Sequence, residues 1–158
     1  MLPGVQDGPT PKNINTYGPS INLENAKKAV ALALAEARNN NWTMAAAIVD
    51  GGGNLVYFEK MDNTQIGSVN IAIEKARSSA LFKRPTKAFE DALASGGGGL
   101  AVLGVLGVFP LEGGLPLLIN GNVVGAIGIS GETSQQDGRC AKAGADAFTN
   151  SELSEGKN

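Results

Sequence analysis

The sequence predicts one α+β domain, in which a central antiparallel sheet of about five strands is flanked by helices. Two pairs of short β-prone stretches each enclose a turn that contains glycine, and patterns typical of helices precede, separate and follow the two pairs. Hairpins that alternate with helices in this way favour an antiparallel sheet over the parallel sheet of a βαβ protein. The 158 residues are enough to bury a core without disulfides or structural metal ions.

The domain is predicted over residues 20–148. Residues 1–19 contain four prolines and no apolar periodicity, which is typical of an extended N-terminal arm. Residues 149–158 are mostly polar and form a predicted C-terminal tail.

A helix and a hairpin are predicted for the first part of the domain. Asn22 suits the N-cap of a helix whose apolar residues recur at helical spacing until the asparagines at 39–41. Residues 43–50 and 55–61 then form the first predicted hairpin, around the turn Gly51-Gly52-Gly53-Asn54.

Two helices follow. The first is predicted over 68–84, with Ser68 as its cap and Pro85 as its end. A shorter helix capped by Thr86 is ended by the glycines that start at Gly96.

The last part of the domain is predicted to complete the sheet. The apolar run 100–109 is expected to add the fifth strand. Residues 115–119 and 122–130 flank Asn120-Gly121, the strongest hairpin signal in the chain. A final helix is predicted from Ser134 to Phe148.

Composition narrows the classes of function. The formal net charge is −2, with the two signs interspersed, so nucleic-acid binding is not expected. No apolar stretch is long enough to span a membrane, and the first residues lack the pattern of a signal peptide. We therefore expect no membrane partner and a soluble protein, either cytoplasmic, or periplasmic or secreted after loss of a leader.

The chain contains no histidine and one cysteine, Cys140. This composition excludes Ser-His-Asp and Cys-His catalysis, HExxH zinc sites and imidazole-ligated haem. No metal site is predicted. Any chemistry must use carboxylates, lysine, arginine, tyrosine, hydroxyl side chains or backbone groups.

The glycine-rich stretch 111–131 does not match a nucleotide-binding loop. The chain has neither a G-x-G-x-x-G fingerprint at a strand-to-helix turn nor a Walker A motif. Gly125, Gly128 and Gly131 instead indicate close backbone approaches in a strand. Ser130 lies in "GISGE", which is not a nucleophile elbow, so its hydroxyl is expected to bond nearby backbone.

Lys75 is the most informative charged residue. It lies at the margin of the apolar stripe of its helix, where a lysine either snorkels or is a semi-buried cation that pairs with an acid or binds an anion. Asp50, Glu59 and Asp62, around the first hairpin, are the candidate partners. The usual role of an aspartate at the position of Asp50 is to cap the glycine-rich turn. Asp62 follows Met61 at the end of a strand, where a purely structural role is equally common.

Two further acids lie close to predicted turns. Glu112 precedes Gly113-Gly114 and is expected to be a loop acid. Asp137 lies near the start of the last helix, where the helix dipole stabilises a carboxylate.

Three stretches together resemble the GlcG/HbpS family, the haem-degrading-like domain that also forms the C-terminal part of PduO-type proteins. They are "AAAIVDGGGNLVYFEKMD", "GSVNIAIEKARSSALFKRPT" and "PLEGGLPLLINGNVVGAIGISGETSQQDGRCAKAGADAF". The resemblance covers roughly residues 20–148 and implies a profilin-like or PAS-like α+β domain that forms homo-oligomers. It also implies haem or corrinoid binding in some members and a glycolate-operon neighbourhood in others.

From this resemblance we expect an oligomeric protein that binds an anionic organic molecule. The expected pocket lies between the sheet, the Lys75 helix and the Gly113-Gly114 loop, whose backbone N–H groups would contact the ligand. The candidate ligand-binding residues are Asp50, Met61, Asp62, Lys75, Glu112, Gly113, Gly114 and Ser130.

Haem is one candidate for this ligand. Its ligation by histidine, which the resemblance implies for haem-binding members, is excluded in this chain. Tyr57, Met61, Met44 and Lys75 carry atoms that can ligate iron in principle, although a methionine at a strand end more often fills the core.

Two alternatives stay open. The first is an enzyme that isomerises, tautomerises or hydrates a small hydroxy or oxo acid, with Lys75 and Asp62 as candidate acid and base. The second is a scaffold that forms a stable oligomer and binds no ligand.

Overall fold

A computed structural model describes residues 15–148, which form four strands, four α-helices and a 3-10 helix. In chain order these are α1 (Leu23–Asn39), β1 (Ala45–Asp50), β2 (Leu55–Lys60), α2 (Ser68–Phe82), α3 (Thr86–Ala94), the 3-10 helix (Gly97–Gly104), β3 (Gly114–Ile119), β4 (Asn122–Ser130) and α4 (Ser134–Ala145). The α+β class is therefore confirmed.

The sheet has the strand order β2-β1-β4-β3, and all neighbouring strands are antiparallel. Side chains alternate between its faces along each strand. Ala47 and Val49 of β1 pack in the core beneath α2, whereas Ile48 belongs to the larger core beneath α1 and α4. The domain thus has one central layer of strands, with α2 on one face and α1 and α4 on the other.

Helix α2 approaches the sheet closely because the residues between them are small. A Cβ atom at Gly128 of β4 would overlap the carbonyl oxygen of Ala72 and lie 3.0 Å from the Cβ of Ala76. Added Cβ atoms at Gly125 and Gly131 would likewise overlap backbone atoms of neighbouring segments. The three glycines therefore mark close approaches, as the sequence predicts.

The second hairpin is confirmed. Asn120 and Gly121 both have positive φ, 52° and 74°, which is the conformation of a type I′ turn. The register of β3 and β4 shifts between Leu117 and Leu118. This hairpin places Gly113 and Gly114 beside the last residues of β4.

The number of strands differs from the prediction, because the sheet has four strands and not about five. The apolar run 100–109 forms no strand, and its first part is the 3-10 helix. Gly96 and Gly97, which follow α3 and precede the run, have positive φ, a conformation outside the extended region that a strand requires. Leu103 and Leu106 are 68% and 96% exposed, so this run does not fill the core.

The helix ends are close to the predicted ones, with three differences. Asn22 caps α1 by accepting from the N–H of Asn25, as predicted. Ser68 and Thr86, however, are the first helical residues rather than caps, because Gly67 and Pro85 occupy the N-cap positions. Helix α4 ends at Ala145, before the predicted Phe148.

Residues 15–21 lie against the domain. The Tyr17 hydroxyl donates to the carbonyl of Ala80 at 2.7 Å, and the ammonium of Lys83 donates to the carbonyl of Asn15 at 2.9 Å.

Residues 1–14 and 149–158, which include most of the predicted arm and the whole predicted tail, lie outside the described residues. Within residues 15–148, no helix has the length and apolar character needed to cross a bilayer.

Candidate functional site

A buried ion pair joins α2 to α4. The Lys75 ammonium donates to the Asp137 carboxylate at 2.8 Å and to the carbonyl of Ile129 at 3.0 Å. The other carboxylate oxygen of Asp137 accepts from the N–H of Glu132 at 3.1 Å. Lys75 is therefore a buried, paired cation.

The partner of Lys75 differs from the three acids that the sequence suggested, which were Asp50, Glu59 and Asp62. Asp137 lies in the first turn of α4, at the place where the sequence predicts a helix-stabilising acid. Asp137 is 62 residues away from Lys75 in the sequence, so no local sequence pattern could have predicted this pair. Burial lowers the pKa of Lys75, and the charge of Asp137 opposes that shift. Burial also raises the pKa of Asp137, and Lys75 opposes it.

A cavity of about 320 Å³ lies between the start of α3, the residues that lead into β3, and α4. Its lining residues are Pro85, Lys87, Glu112, Gly113, Gly114, Leu115, Gly138 and Lys142. Three of these, Glu112, Gly113 and Gly114, are among the predicted ligand-binding residues. The carbon-rich wall and the three charged side chains suit a small ligand that combines apolar and anionic parts.

Glycines shape this cavity because neighbouring groups leave no room for side chains. Gly113 has a φ of +132°, and a Cβ there would lie 2.8 Å from the Lys75 ammonium nitrogen. A Cβ at Gly138 would overlap the Glu112 carboxylate. The Lys75 ammonium therefore lies directly behind the backbone of Gly113, and Glu112 rests on α4.

Two backbone N–H groups of this loop are used within the protein. Gly114 donates its N–H to the Thr86 hydroxyl at 2.9 Å, and Glu112 donates its N–H to Glu90 at 3.0 Å. Glu90 also accepts from the Ser134 hydroxyl at 3.1 Å. The Gly114 N–H therefore has a partner inside the protein, and Glu90 fixes the loop to α3 and α4.

Glu112 is a half-buried acid in this wall. Burial is the largest influence on its carboxyl and raises its pKa. Lys87 opposes that shift, whereas Glu90 adds to it. Glu112 therefore holds a proton more readily than an exposed glutamate.

The two lysines of the cavity come from different helices. Lys87 pairs with Asp91 at 2.9 Å, and Lys142 pairs with Asp146 at 2.5 Å, each one helical turn further along. Both pairs are well exposed, so each contributes little to stability and exchanges readily. No sequence pattern singles out these two lysines, because only the folded chain brings them to one cavity.

The other predicted site residues lie elsewhere. Asp50 caps its turn by accepting from the N–H groups of Gly52 and Asn54, as its default role predicts. Met61 and Asp62 line a second cavity of about 380 Å³, together with Arg38, Glu59 and Lys60. The structure therefore does not bring Asp62 to Lys75 as an acid–base pair.

Ser130 is buried at the end of β4. Its hydroxyl donates to the Ser68 hydroxyl at 3.0 Å rather than to nearby backbone. This bond joins β4 to the first residue of α2, and Ser130 does not line the cavity beside Gly113.

The side chains suggested as iron ligands do not fit a haem in the first cavity. Met44 and Lys75 have no exposed surface. The Tyr57 hydroxyl donates to Glu59, and this hydrogen bond raises the pKa of Tyr57 and disfavours an iron-binding phenolate. Met61 lines the second cavity and not the first, and its sulfur accepts from the N–H of Met44. Within residues 15–148, no group of three or more acidic or cysteine side chains has a metal-binding arrangement.

Comparisons with known proteins agree with this architecture. The family model "Haem degrading protein HbpS-like" matches residues 21–146. Protein GlcG of Escherichia coli K12 is 36% identical over 110 residues, which cover 70% of this chain and 81% of GlcG.

Solved structures share the fold. The crystal structure of Klebsiella pneumoniae protein ORFY has a TM-score of 0.78 at 28% identity, covering 89% of this chain and 98% of that one. The crystal structure of a PduOC–haem complex has a TM-score of 0.72 at 23% identity, covering 81% and 94%, and shows likeness of fold alone. From the family model and the identity to GlcG together, we conclude that this chain belongs to the GlcG/HbpS family, as its motifs predict.

Proposed function

We propose that this chain binds a small organic anion in the cavity beside Gly113. The observation that carries the proposal is the meeting of Lys87, Lys142 and Glu112 on a cavity whose other walls are Pro85, Leu115 and glycine backbone. The cavity volume of about 320 Å³ falls within the usual range of small-ligand pockets.

The lysines supply the anion recognition in this proposal. Their present partners, Asp91 and Asp146, are exposed carboxylates that form weak ion pairs. A ligand carboxylate held partly out of water would replace these partners and make stronger charged hydrogen bonds. Lys75 has a different role: it acts as a positioning residue behind Gly113, because its ammonium is committed to Asp137 and Ile129.

Haem is not the ligand proposed for this cavity. The family description and the PduOC–haem complex make haem the obvious comparison. The lining residues of this chain, however, include no thioether, thiolate, imidazole or phenol, and both lysines of the lining are paired with carboxylates. Haemin therefore enters the test as a competitor of small carboxylates.

A ligand screen on matched lysine variants tests the proposal. Isothermal titration calorimetry would compare haemin, butanoate, 2-oxobutanoate, 2-hydroxybutanoate and succinate on the wild type, Lys87→Met, Lys142→Met and Lys28→Met. Lys28 is the control, because it is exposed and pairs with Glu24 one turn away but lies outside the cavity. We expect at least one carboxylate to bind, and each cavity variant to weaken it roughly tenfold or more.

Two results would overturn the proposal. One is that no carboxylate binds, and the other is that a carboxylate binds equally well to Lys87→Met, Lys142→Met and Lys28→Met. Saturable haemin binding that is insensitive to both cavity lysines would assign the haem ligand to another surface.

We further propose that the chain forms a homo-oligomer through its apolar segment, residues 97–109. Leu100, Leu103 and Leu106 are 54%, 68% and 96% exposed on this segment. Contiguous exposed apolar side chains of this kind support a protein–protein contact. The segment packs against α3, which carries Lys87, so assembly and the cavity share one helix.

A further inference from the structure

The Glu112 carboxylate lies in the cavity wall without a hydrogen-bond donor from the described part of the chain. Its backbone N–H is held by Glu90, and the side chain rests on the Cα atom of Gly138. Glu112 is only half-buried and lines the cavity, so its carboxylate is open to a ligand there rather than enclosed in the core. A carboxylate held in this way is suited to accept a proton from a ligand.

The surrounding charges belong to three helices. Lys87, Glu90 and Asp91 face Glu112 from α3, and Lys75 acts from α2 behind Gly113. Lys142 lines the same cavity from α4. The carboxylate thus lies between an acidic neighbour that strengthens it as a base and cations that attract an anionic substrate.

We propose that Glu112 is the base of a proton-transfer reaction, in which it removes the proton from the carbon next to the carbonyl of a small 2-oxo acid. The proposal rests on the binding of an organic anion in this cavity. It replaces Lys75 and Asp62, which the sequence suggested as acid and base, by a group that lines the cavity with two lysines.

The reaction balances without a further reactant. The C–H bond of the substrate breaks, its proton forms an O–H bond with Glu112, and the electron pair moves through the new C=C bond onto the carbonyl oxygen. The protonated Glu112 then returns a proton, which has exchanged with solvent, to the same carbon or to a conjugated position. The net change is a solvent-exchanged or tautomerised 2-oxo acid.

The 2-oxo acid class follows from the charges of the cavity. Such a molecule has a carboxylate next to the oxygen that becomes an enolate, so its negative charges develop side by side. Two lysines that line one cavity match this pattern, since fixed cations stabilise charge that develops in the transition state. Pro85 and Leu115 supply apolar wall for the carbon chain.

The test is deuterium exchange at carbon 3 of 2-oxobutanoate in D₂O, followed by proton NMR, with binding measured in parallel by calorimetry. The variants are Glu112→Gln, which keeps the size of the side chain, and Glu24→Gln, which removes an exposed acid of α1 as a control. We expect the wild type and Glu24→Gln to accelerate the exchange. Glu112→Gln is expected to lose about 100-fold or more of that acceleration and still bind 2-oxobutanoate.

The pH profile separates catalysis from structure. Glu112 must be deprotonated to act as a base, so the exchange rate should rise with pH through the pKa of Glu112. Because burial raises that pKa, the midpoint should lie above that of an exposed glutamate. A structural role of Glu112 would not give such a profile.

The proposal is overturned if the wild type binds 2-oxobutanoate without accelerating exchange, or if Glu112→Gln binds it and exchanges at the wild-type rate. A wild type that does not bind 2-oxobutanoate overturns the 2-oxo acid class. The proposed binding function fails separately, if no carboxylate in the screen shows lysine-dependent binding.

Discussion

The ammonium of Lys75 lies 2.8 Å from the carboxylate of Asp137, and the two side chains are 0% and 3% exposed. This pair connects α2, the end of β4 and the first turn of α4. Removing one partner would leave an uncompensated charge in the interior. We therefore expect Lys75→Met to destabilise the fold by about 3–5 kcal/mol in urea unfolding.

The control variants for this prediction follow from the same pair. Lys28→Met removes an exposed lysine and should change the free energy of unfolding by less than about 0.5 kcal/mol. Removing both charges, in Lys75→Met/Asp137→Leu, should recover part of the loss. A Lys75→Met protein as stable as the Lys28→Met protein would show that the pair does not hold the fold together.

Gly128 is a second position where the structure makes a sharp prediction. An alanine there would place its Cβ against the backbone of α2 at Ala72. We expect Gly128→Ala to lower the free energy of unfolding by about 1–3 kcal/mol or more, because the helix must move away from the sheet. Chemical denaturation is the measurement.

Gly67 provides the matched glycine control. It has α-helical φ and ψ of −59° and −26°, and a Cβ built there meets nothing within 4 Å. Gly67→Ala should change the free energy of unfolding by less than about 1 kcal/mol in either direction, because the added Cβ meets no other atom, whereas alanine is less favourable than glycine at an N-cap. Equal losses in Gly67→Ala and Gly128→Ala would contradict the close packing of α2 on β4.

Cys140 is predicted to be unreactive in the folded protein. Its side chain is fully buried, and burial raises the pKa of its thiol to about 12. A thiol reagent at pH 8 should modify the unfolded chain rapidly and the native chain only as fast as it unfolds. Rapid modification of native protein would contradict the burial of this residue.

The same thiol gives a pH dependence with a definite sign. Its pKa in the folded state, about 12, lies above the ordinary value of 9.0. Its contribution to stability is therefore complete below pH 9 and is lost as the pH rises towards 12. Stability should fall more steeply over this window in the wild type than in Cys140→Ala, and parallel curves would refute the shift.

The apolar segment 97–109 predicts an assembly-breaking variant. Leu106→Glu adds a charge at a side chain that is 96% exposed, so it should not perturb the core. Light scattering after size exclusion should show a lower mass than for the wild type. Ile66→Glu, at an apolar position that is 85% exposed outside the segment, is the control. A monomeric wild type, or an unchanged mass for Leu106→Glu, would contradict assembly through this segment.

Local signals predicted the parts of the fold that depend on local geometry. Asn120-Gly121 predicted its hairpin because a type I′ turn requires two residues that tolerate positive φ. Asn22 predicted the start of α1 by its side-chain acceptor. The run 100–109 was misassigned, since a short apolar run has the same pattern whether it forms a buried strand or an exposed segment.

The site was only partly predictable. Glu112, Gly113 and Gly114, which the family resemblance made candidate ligand contacts, line one cavity in the structure. The sequence did not identify Lys87 and Lys142, which resemble any exposed helical lysine until the fold brings them together. The position of Lys75 on its helix indicates an unusual lysine. Its partner, Asp137, could not be predicted, because helical spacing relates only residues three or four positions apart and Asp137 is 62 positions away.

The most direct test of anion binding beside Gly113 is an NMR titration of ¹⁵N-labelled protein with the tightest-binding carboxylate. We predict saturable shifts at the amides of Gly113, Gly114 and Gly138, and their loss in Lys87→Met/Lys142→Met. Saturable shifts confined to the second cavity, around Arg38, Lys60 and Asp62, would contradict the proposed site.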